Sequence, residues 1–215
     1  MDGNKRWSLV NSKNIKESYV AGLNKLFEIC NLCIKKEIKY VSAYALSAEN
    51  INRPNIKTIF GIIRDKSQEK SQNFFQKNKI KVKFIGEIDD LPKKTALILN
   101  KIEKMTKDNE VLNLNIVMNY GTIKEIVKIV KDVNKENNSQ EIDSNLIKKH
   151  MYLRGMPEPD MLIRTGGFRR LSNFLLIYMN YTEFFFTETL WPDFSYTEFN
   201  EMINSFKKIK RNYGL

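Results

Sequence analysis

The segment 163–173 (IRTGGFRRLSN) carries the residue types best suited to binding a doubly charged anion. An apolar run, 161–163, leads into a loop that contains three arginines, two glycines and a serine. Arginine presents a planar fork of donors that matches phosphate oxygens, and glycine lets the backbone come close to a ligand. At the end of a strand, this combination predicts a binding site for a diphosphate.

The opening segment 1–7 (MDGNKRW) offers a partner for that loop. Asp2 is a candidate carboxylate for Mg²⁺, which takes few protein carboxylates and bridges phosphates. Gly3 and Asn4 are placed to offer backbone N–H groups at a helix start, and Arg6 adds a positive charge. Such a segment alone is typical of a simple turn, so the prediction depends on both segments together.

The composition indicates one globular domain with anionic partners. The 215 residues contain no Pro/Gly/Ser-rich linker, and 42% of them are apolar, which is enough for a core. No apolar run is long enough to span a bilayer and no signal peptide is recognised, so we expect a cytoplasmic protein. The net charge of +11 favours nucleic acid, or else phosphorylated metabolites and anionic lipid. The lysines are spread over many predicted helices. This disfavours nucleic acid as the partner, because the basic residues of a nucleic-acid-binding surface are clustered.

Two other sequence features have simple structural interpretations. Cys30 and Cys33 form a Cys-x-x-Cys pair, but they lie within an amphipathic helical pattern, so we expect two buried, reduced thiols instead of a redox or metal site. His150 is the only histidine and lies near a predicted helix end, which argues against a histidine-centred catalytic triad.

The hydrophobic pattern predicts strands that alternate with helices. The predicted strands are 39–46, 80–85 (near a sheet edge), 111–118, 160–164 and 184–187. The predicted helices are 18–36, 54–75, 92–106, 123–133, 143–151 and 196–211, with a polar loop at 134–139. In the helix 123–133 we expect Ile126, Val127, Ile129 and Val130 to face inward. This order predicts a single α/β domain with a central, mostly parallel sheet flanked by helices.

Polar residues follow three of these strands. They are 47–50 (SAEN), 119–121 (NYG) and 165–167 (TGG). In open parallel sheets ligands bind beyond the carboxyl ends of the strands. We therefore expect these three strand ends to meet at one site.

Six blocks of the sequence together resemble the cis-prenyltransferases, of the undecaprenyl diphosphate synthase type. The blocks are 1–7, 44–54 (YALSAENINRP), 113–121 (NLNIVMNYG), 157–176, 182–194 (TEFFFTETLWPDF) and 210–214 (KRNYG). The resemblance implies a homodimeric α/β enzyme that uses Mg²⁺. Its reaction would condense isopentenyl diphosphate onto an allylic diphosphate, with farnesyl diphosphate as the expected starter. The product would be a polyprenyl diphosphate carrier lipid for bacterial cell-wall assembly, and such a product suggests peripheral contact with the inner membrane face.

The resemblance also implies roles for individual residues. It makes Asp2 the essential acid, Asn50 the residue at the position of proton removal, and Asp2 with Glu183 the metal-binding carboxylates. Because an amide is a weak base, we interpret Asn50 as positioning a proton transfer to diphosphate or water. The implied allylic-substrate residues are Gly3, Asn4, Lys5, Arg6 and Trp7, and the implied isopentenyl diphosphate residues are Arg164, Arg170 and Ser172. Further implied substrate contacts are Tyr19, Ser47, Ala48, Glu49, Arg53 and Leu171, and the tail Arg211, Tyr213 and Gly214 would reach across the dimer.

A long product also requires an apolar tunnel. Its candidate lining residues are Ala45, Leu46, Ile59, Phe60 and Ile63, together with the apolar side of strand 111–118. The resemblance further implies a short apolar strand before the turn at 1–4, so we expect the complete domain to begin upstream of Met1.

The sequence departs from the family pattern at Ile15, Tyr19, Ile51, Ile123 and Phe168. An arginine, a histidine, a tryptophan, an arginine and an acid, respectively, are usual at these positions. Two other functions therefore stay open: a non-catalytic or weakly active partner subunit of the same fold and a basic nucleic-acid-binding protein. Retention of Asp2, Asn50, Arg164, Arg170 and Glu183 disfavours the first, and dispersed charge disfavours the second.

Overall fold

A computed structural model describes residues 1–65, 67–136 and 141–212. The described helices are α1 (Asn4–Val10), α2 (Ile15–Lys35), α3 (Ile56–Asp65), α4 (Ser67–Lys77), α5 (Lys93–Thr106), α6 (Thr122–Glu136), α7 (Ser144–His150) and α8 (Tyr196–Lys208). The described strands are β1 (Tyr40–Ser47), β2 (Ile80–Ile85), β3 (Leu112–Tyr120), β4 (Met161–Arg164) and β5 (Glu183–Phe186). Short 3-10 turns lie at Ala48–Asn50, Leu176–Tyr178 and Trp191–Asp193.

The described strands form two parallel sheets. One has the order β1-β3-β2, so β2 is at an edge as predicted, and the other pairs β4 with β5. β3 lies in the middle of its sheet, which explains its apolar character: Leu112, Leu114 and Val117 are fully buried. The α/β class with parallel strands is confirmed, although these strands are divided between two sheets.

α2 supplies one wall of the main core. Its N-terminus is closed by a capping box, in which the Glu17 N–H donates to Asn14 Oδ1 and the Asn14 N–H donates to Glu17 Oε2, both over 2.9 Å. The buried face of α2 packs with Phe75, Phe199 and other core residues of the sheet and of α8. Cys30 and Cys33 lie on this face as free, buried thiols, as the sequence predicted.

A buried carboxylate ties the start of α6 to its surroundings. Glu125 is fully buried and accepts hydrogen bonds from the Tyr120 hydroxyl at 2.6 Å, the Tyr152 N–H at 2.8 Å and the Tyr178 hydroxyl. These donors come from the end of β3 and from two loops distant in sequence. The network therefore holds the carboxyl end of β3 against the chain that follows the arginine-rich loop.

Another carboxylate organises the approach to α8. Glu198 accepts hydrogen bonds from the hydroxyls of Thr187 at 2.9 Å and Thr189 at 2.6 Å. It also completes a capping box with Ser195, the N-cap residue of the helix. The segment after β5 is thereby fixed to the start of the closing helix.

Several sequence predictions for helices need correction or comment. The predicted helix 54–75 corresponds to α3 and α4, which lie on either side of position 66. α6 continues to Glu136, into the predicted loop, and Ile126, Val127 and Val130 are exposed, whereas Ile129 is buried as expected. Tyr213 and Gly214, predicted to form a tail, lie outside the described residues. Among the described helices, none has the length and apolar character needed to cross a membrane.

Candidate active site

A cavity of about 1180 Å³ opens where the carboxyl ends of β1 and β4 approach the start of α1. Its lining includes residues of β1, of the chain around β4, and of the segment Met1–Arg6. Both charged side chains and an apolar floor face this space. Of the three predicted polar strand ends, 47–50 contributes Ser47, Glu49 and Asn50 to this lining, whereas 119–121 and 165–167 are not among the described lining residues.

Asp2 lies at the centre of the charged part of the cavity. Its carboxylate accepts hydrogen bonds from Arg164 Nη2 at 3.0 Å and from Arg6 Nη2 at 3.3 Å. Its backbone is held independently: the Asp2 N–H donates to Thr165 Oγ1, and the Asp2 carbonyl accepts from the Thr165 hydroxyl and the Trp191 N–H. Different residues therefore hold the backbone and the side chain of Asp2, and together they fix its carboxylate beside two guanidinium groups.

Arg164 ends β4 and organises the loop that follows. Its Nη1 donates to Ser172 Oγ at 2.9 Å and to the Arg170 carbonyl, while Nη2 donates to Asp2. Ser172 and Asn173 both have left-handed backbone conformations, with φ of 50° and 63°. The Arg164 hydrogen bonds help to hold this strained loop, so that Arg164, Arg170 and Ser172 line one side of the cavity together.

Glycine is required at position 166 because the opening segment passes directly over it. A Cβ atom there would lie 2.5 Å from Arg6 Nη2 and 3.1 Å from the Asp2 carbonyl oxygen, and φ is 85°. The close approach is what allows Asp2 and Arg6 to reach the end of β4. The glycine predicted to admit a ligand here admits another part of the same chain.

Asn173, in the loop after β4, joins two of the three polar strand ends that the sequence predicted to converge. Its Nδ2 donates to Glu49 Oε1 at 2.9 Å, just beyond β1, and its carbonyl accepts from the Thr122 N–H at 3.1 Å, just beyond β3. A Cβ atom at Gly121 would lie 2.7 Å from the Asn173 side chain. Sequence reasoning missed Asn173 and Thr165 as positioning residues, although both stand within the segment 163–173.

The end of β1 is shaped by an irregular register. Tyr44 pairs with Val117 but Leu46 pairs with Met118, so Ala45 is an extra residue in the strand. Such a bulge re-aims the side chains that follow it. All of β1, from Tyr40 to Ser47, is included in the cavity lining.

The pKa values of two cavity residues, Glu49 and Tyr19, are shifted by burial and by hydrogen bonding. Burial opposes ionisation of Glu49, but hydrogen bonds from Asn173, backbone and Ser47, with the nearby Lys124 charge, hold its pKa below 4.5. Tyr19 also lines the cavity, where its hydroxyl accepts a hydrogen bond from Asn55 Nδ2 at 3.3 Å. Burial raises the pKa of Tyr19 despite the opposing charge of Arg53, so Tyr19 is a neutral hydrogen-bonding group.

The cavity brings together most of the predicted site residues. They are Asp2, Gly3, Asn4, Lys5, Arg6, Tyr19, Ser47, Glu49, Asn50, Arg53, Arg164, Arg170, Leu171 and Ser172. Trp7 and Ala48 are not among its described lining residues, and Trp7 Nε1 instead donates to Asp193 Oδ1 at 2.7 Å. Of the predicted tunnel residues, Ala45 and Leu46 line the cavity. Phe60 is not among the described lining residues, and it packs in a core cluster that also contains Leu46.

Glu183 lies away from Asp2 within one chain. It begins β5 opposite Met161, whereas Arg164 pairs with Phe186 at the other end of the two strands. Three residue steps along a strand separate these ends by about 10 Å. Glu183 lines a small pocket with Tyr181, Thr182, Lys210, Arg211 and Asn212. The two predicted metal carboxylates therefore face different sites of the same chain.

Comparisons with known proteins identify the family of the chain. The sequence profile of a family described as "Putative undecaprenyl diphosphate synthase" matches residues 1–214. An isoprenyl transferase of Oceanobacillus iheyensis is 33% identical over 222 residues, covering 100% of this chain and 87% of the relative. An isoprenyl transferase of Aquifex pyrophilus is 36% identical over 216 residues, with 100% and 93% covered.

Solved structures give the same result. A "probable undecaprenyl diphosphate synthase" from Campylobacter jejuni has a TM-score of 0.81 at 29% identity, covering 91% of this chain and 93% of that one. Lavandulyl diphosphate synthase from Lavandula x intermedia, in complex with dimethylallyl diphosphate, has a TM-score of 0.93 at 24% identity, with 100% and 95% covered. The latter likeness concerns the fold alone. The chain therefore belongs to the undecaprenyl diphosphate synthase family, and it is a cis-prenyltransferase.

Proposed function

We propose that the protein condenses isopentenyl diphosphate units onto an allylic diphosphate, with farnesyl diphosphate as the starter, to make a polyprenyl diphosphate carrier lipid with cis double bonds. In each condensation the allylic carbon–oxygen bond to diphosphate breaks, and that carbon bonds to the terminal CH₂ carbon of isopentenyl diphosphate. The isopentenyl unit loses one proton, and inorganic diphosphate is released. The observation that carries this proposal is the meeting of Asp2, Arg164 and Ser172 in one cavity.

The cavity lining contains enough cationic groups for two diphosphates, as a reaction between two diphosphates requires. Arg164 and Arg170 belong to the loop after β4, which we assign to isopentenyl diphosphate. Lys5, Arg6 and Arg53 also line the cavity, and we assign them to the allylic diphosphate. Charges that are fixed in place before the reaction stabilise the negative charge that develops on the leaving group.

Magnesium fits this site as an ion held largely by the substrates. Asp2 presents a carboxylate among the arginines, and Mg²⁺ commonly takes one or two protein carboxylates together with phosphate oxygens. Asp2 would therefore hold the ion, and bound Mg²⁺ would supply positive charge to the leaving diphosphate. Both oxygens of Asp2 now accept from guanidinium groups, so Arg6 and Arg164 would then turn from the carboxylate to the diphosphates.

Asn50 is placed to handle the proton that the isopentenyl unit loses. It ends the 3-10 turn after β1 and lines the cavity next to Glu49. Because its amide is a weak base, we assign it the role of orienting that proton toward diphosphate or water. Substituting Asn50→Ala should lower kcat more than it raises KM for either substrate.

We also propose that two copies of the chain form a dimer through α6. Ile123, Ile126, Val127 and Val130 are spaced as one helical stripe, and each is at least 40% exposed. An apolar stripe of this kind normally packs against another surface. A second copy of the chain would cover this stripe. Because Glu183 does not reach Asp2 within one chain, we propose that Glu183 of one subunit acts at the cavity of the other.

The dimer proposal is tested by the mass in solution. Wild type should sediment at twice 25.3 kDa, and the double substitution of Ile126→Lys and Val130→Lys should give the monomer. Asn100→Lys adds one such positive charge at an exposed position on α5 and should leave the dimer intact. Wild type that stays monomeric at all concentrations would contradict the proposal.

Peripheral membrane contact completes the proposal, because a polyprenyl product partitions into lipid. The net charge of +11 favours the anionic inner face of a bacterial membrane. Wild type should co-sediment with phosphatidylglycerol vesicles and much less with phosphatidylcholine vesicles. Equal recovery with both vesicle types would remove the electrostatic argument.

The decisive assay combines farnesyl diphosphate, labelled isopentenyl diphosphate and Mg²⁺. We expect the label in a butanol-extractable long-chain product and one diphosphate released per condensation, with cis double bonds seen by NMR. A pure, folded protein that incorporates no label would refute the proposed function.

A further inference from the structure

Phe168 stands at the centre of the arginine cluster, although its position in the loop was expected to hold an acid. Its ring centroid is 4.2 Å from Arg170 Cζ, 4.8 Å from Arg6 Cζ and 5.9 Å from Arg164 Cζ. All three distances fall within the range in which a guanidinium is attracted to an aromatic face. The three arginines come from α1, from the end of β4 and from the following loop, so one ring connects three separate segments.

The backbone that carries Phe168 is firmly placed. The Gly166 N–H donates to the Thr189 carbonyl and the Gly167 N–H donates to the Thr187 carbonyl, each over 2.8 Å. Phe168 itself is 40% exposed. Its ring is therefore held at the cavity lining without being part of the core, and burial in the core does not explain its position.

Three guanidinium groups this close repel each other unless something between them compensates. Asp2 compensates two of them, Arg6 and Arg164, but a carboxylate also neutralises the charge that would attract a diphosphate. An aromatic face attracts guanidinium groups while carrying no net charge. It keeps them together and leaves their full charge available to an anion.

We propose that Phe168 is a positioning residue whose ring gathers the guanidinium groups of Arg6, Arg164 and Arg170 for diphosphate binding. The proposal rests on the proposed function, because these arginines are the groups assigned to the two diphosphates of that reaction. If Asp2 held a cation in place of the arginines, the ring would keep their guanidinium groups clustered.

The test compares binding of inorganic pyrophosphate, measured by calorimetry in metal-free buffer, for wild type, Phe168→Leu and Phe168→Tyr. Leucine keeps an apolar side chain without the ring, and we expect binding to weaken about tenfold, which is ~1.4 kcal/mol. Phe168→Tyr keeps an aromatic ring, and its affinity for pyrophosphate should be within about twofold of that of wild type. Tyr196→Leu, at a more exposed aromatic residue outside the cavity lining, should have no effect.

Steady-state kinetics add a second readout. Phe168→Leu should raise KM for isopentenyl diphosphate by a factor similar to its loss of pyrophosphate affinity, with a smaller change in kcat. Unchanged pyrophosphate affinity in folded Phe168→Leu overturns the role of Phe168 and leaves the proposed function standing. Wild type that does not bind pyrophosphate in metal-free buffer also overturns the role of Phe168, whereas the proposed function falls only if the elongation assay with Mg²⁺ shows no incorporation of label.

Discussion

Asp2 permits a prediction in which two measurements move in opposite directions. In the substrate-free protein its carboxylate neutralises Arg6 and Arg164, whereas during turnover we assign it to Mg²⁺. Substituting Asp2→Asn removes the charge and keeps the size of the side chain. Metal-free pyrophosphate binding should therefore become tighter, while Mg²⁺-dependent elongation should fall.

The magnitudes follow from the exposure of the groups. The side chains of Asp2, Arg6 and Arg164 are 35%, 41% and 13% exposed. Partly exposed pairs of this kind contribute about 0.5 kcal/mol each, so releasing two of them should tighten pyrophosphate binding by about fivefold. Loss of a group that stabilises developing charge costs about 10²- to 10³-fold in kcat.

The assays are calorimetry with pyrophosphate in EDTA and label incorporation with Mg²⁺. The fold should survive, because the backbone of Asp2 is held by Thr165 and Trp191 and not by the carboxylate. Asp108→Asn is the matched control, since Asp108 is 87% exposed and far from the cavity lining. Weaker metal-free binding by Asp2→Asn, or full activity with Mg²⁺, would refute this reasoning.

Other predictions concern stability and thiol chemistry. Glu125→Ala removes the acceptor for three buried donors and should lower the free energy of unfolding in urea by about 3 kcal/mol, whereas exposed Glu201→Ala should change it little. Burial opposes ionisation of Glu198, but its hydroxyl and backbone hydrogen bonds prevail and hold its pKa below 4.5. Its contribution to stability is therefore complete above about pH 4.5 and is lost as pH falls through the folded pKa, so Glu198→Gln should lose less stability than wild type on acidification to about pH 3. Burial raises the pKa of Cys33 to about 12 and that of Cys30 still further. Iodoacetamide should thus label neither thiol in the native protein at neutral pH and both after denaturation, as mass spectrometry would show; rapid native labelling would contradict their burial.

Local patterns in the sequence were sufficient for most elements. Periodicity placed β2 and α5 close to their observed bounds, and Asp143 caps α7 as expected, accepting a hydrogen bond from the Leu146 N–H at 2.8 Å. These features depend on neighbouring residues alone, so sequence reasoning can reach them.

α6 shows where periodicity is insufficient. Its apolar residues predict an amphipathic helix, but they lie on two faces of the helix, and only one of these faces packs against the core. The observed face buries the acid Glu125 because Tyr120, Tyr152 and Tyr178 satisfy it, while Ile126 and its neighbours remain exposed. No local pattern reveals a buried carboxylate whose donors lie up to 53 residues away.

Glycines, arginines and acids in ordered blocks are enough to predict the class of fold and the chemistry, because both depend on residue type and order along the chain. Which of these groups meet in space depends on how the strands pack. Asp2 and Arg164 stand 162 positions apart and share a hydrogen bond, whereas Glu183 belongs to the same set of motifs and faces another site. The physical reason is that parallel strands bring their carboxyl ends to one edge and send their opposite ends elsewhere. A residue's place in the site therefore depends on which end of its strand it occupies.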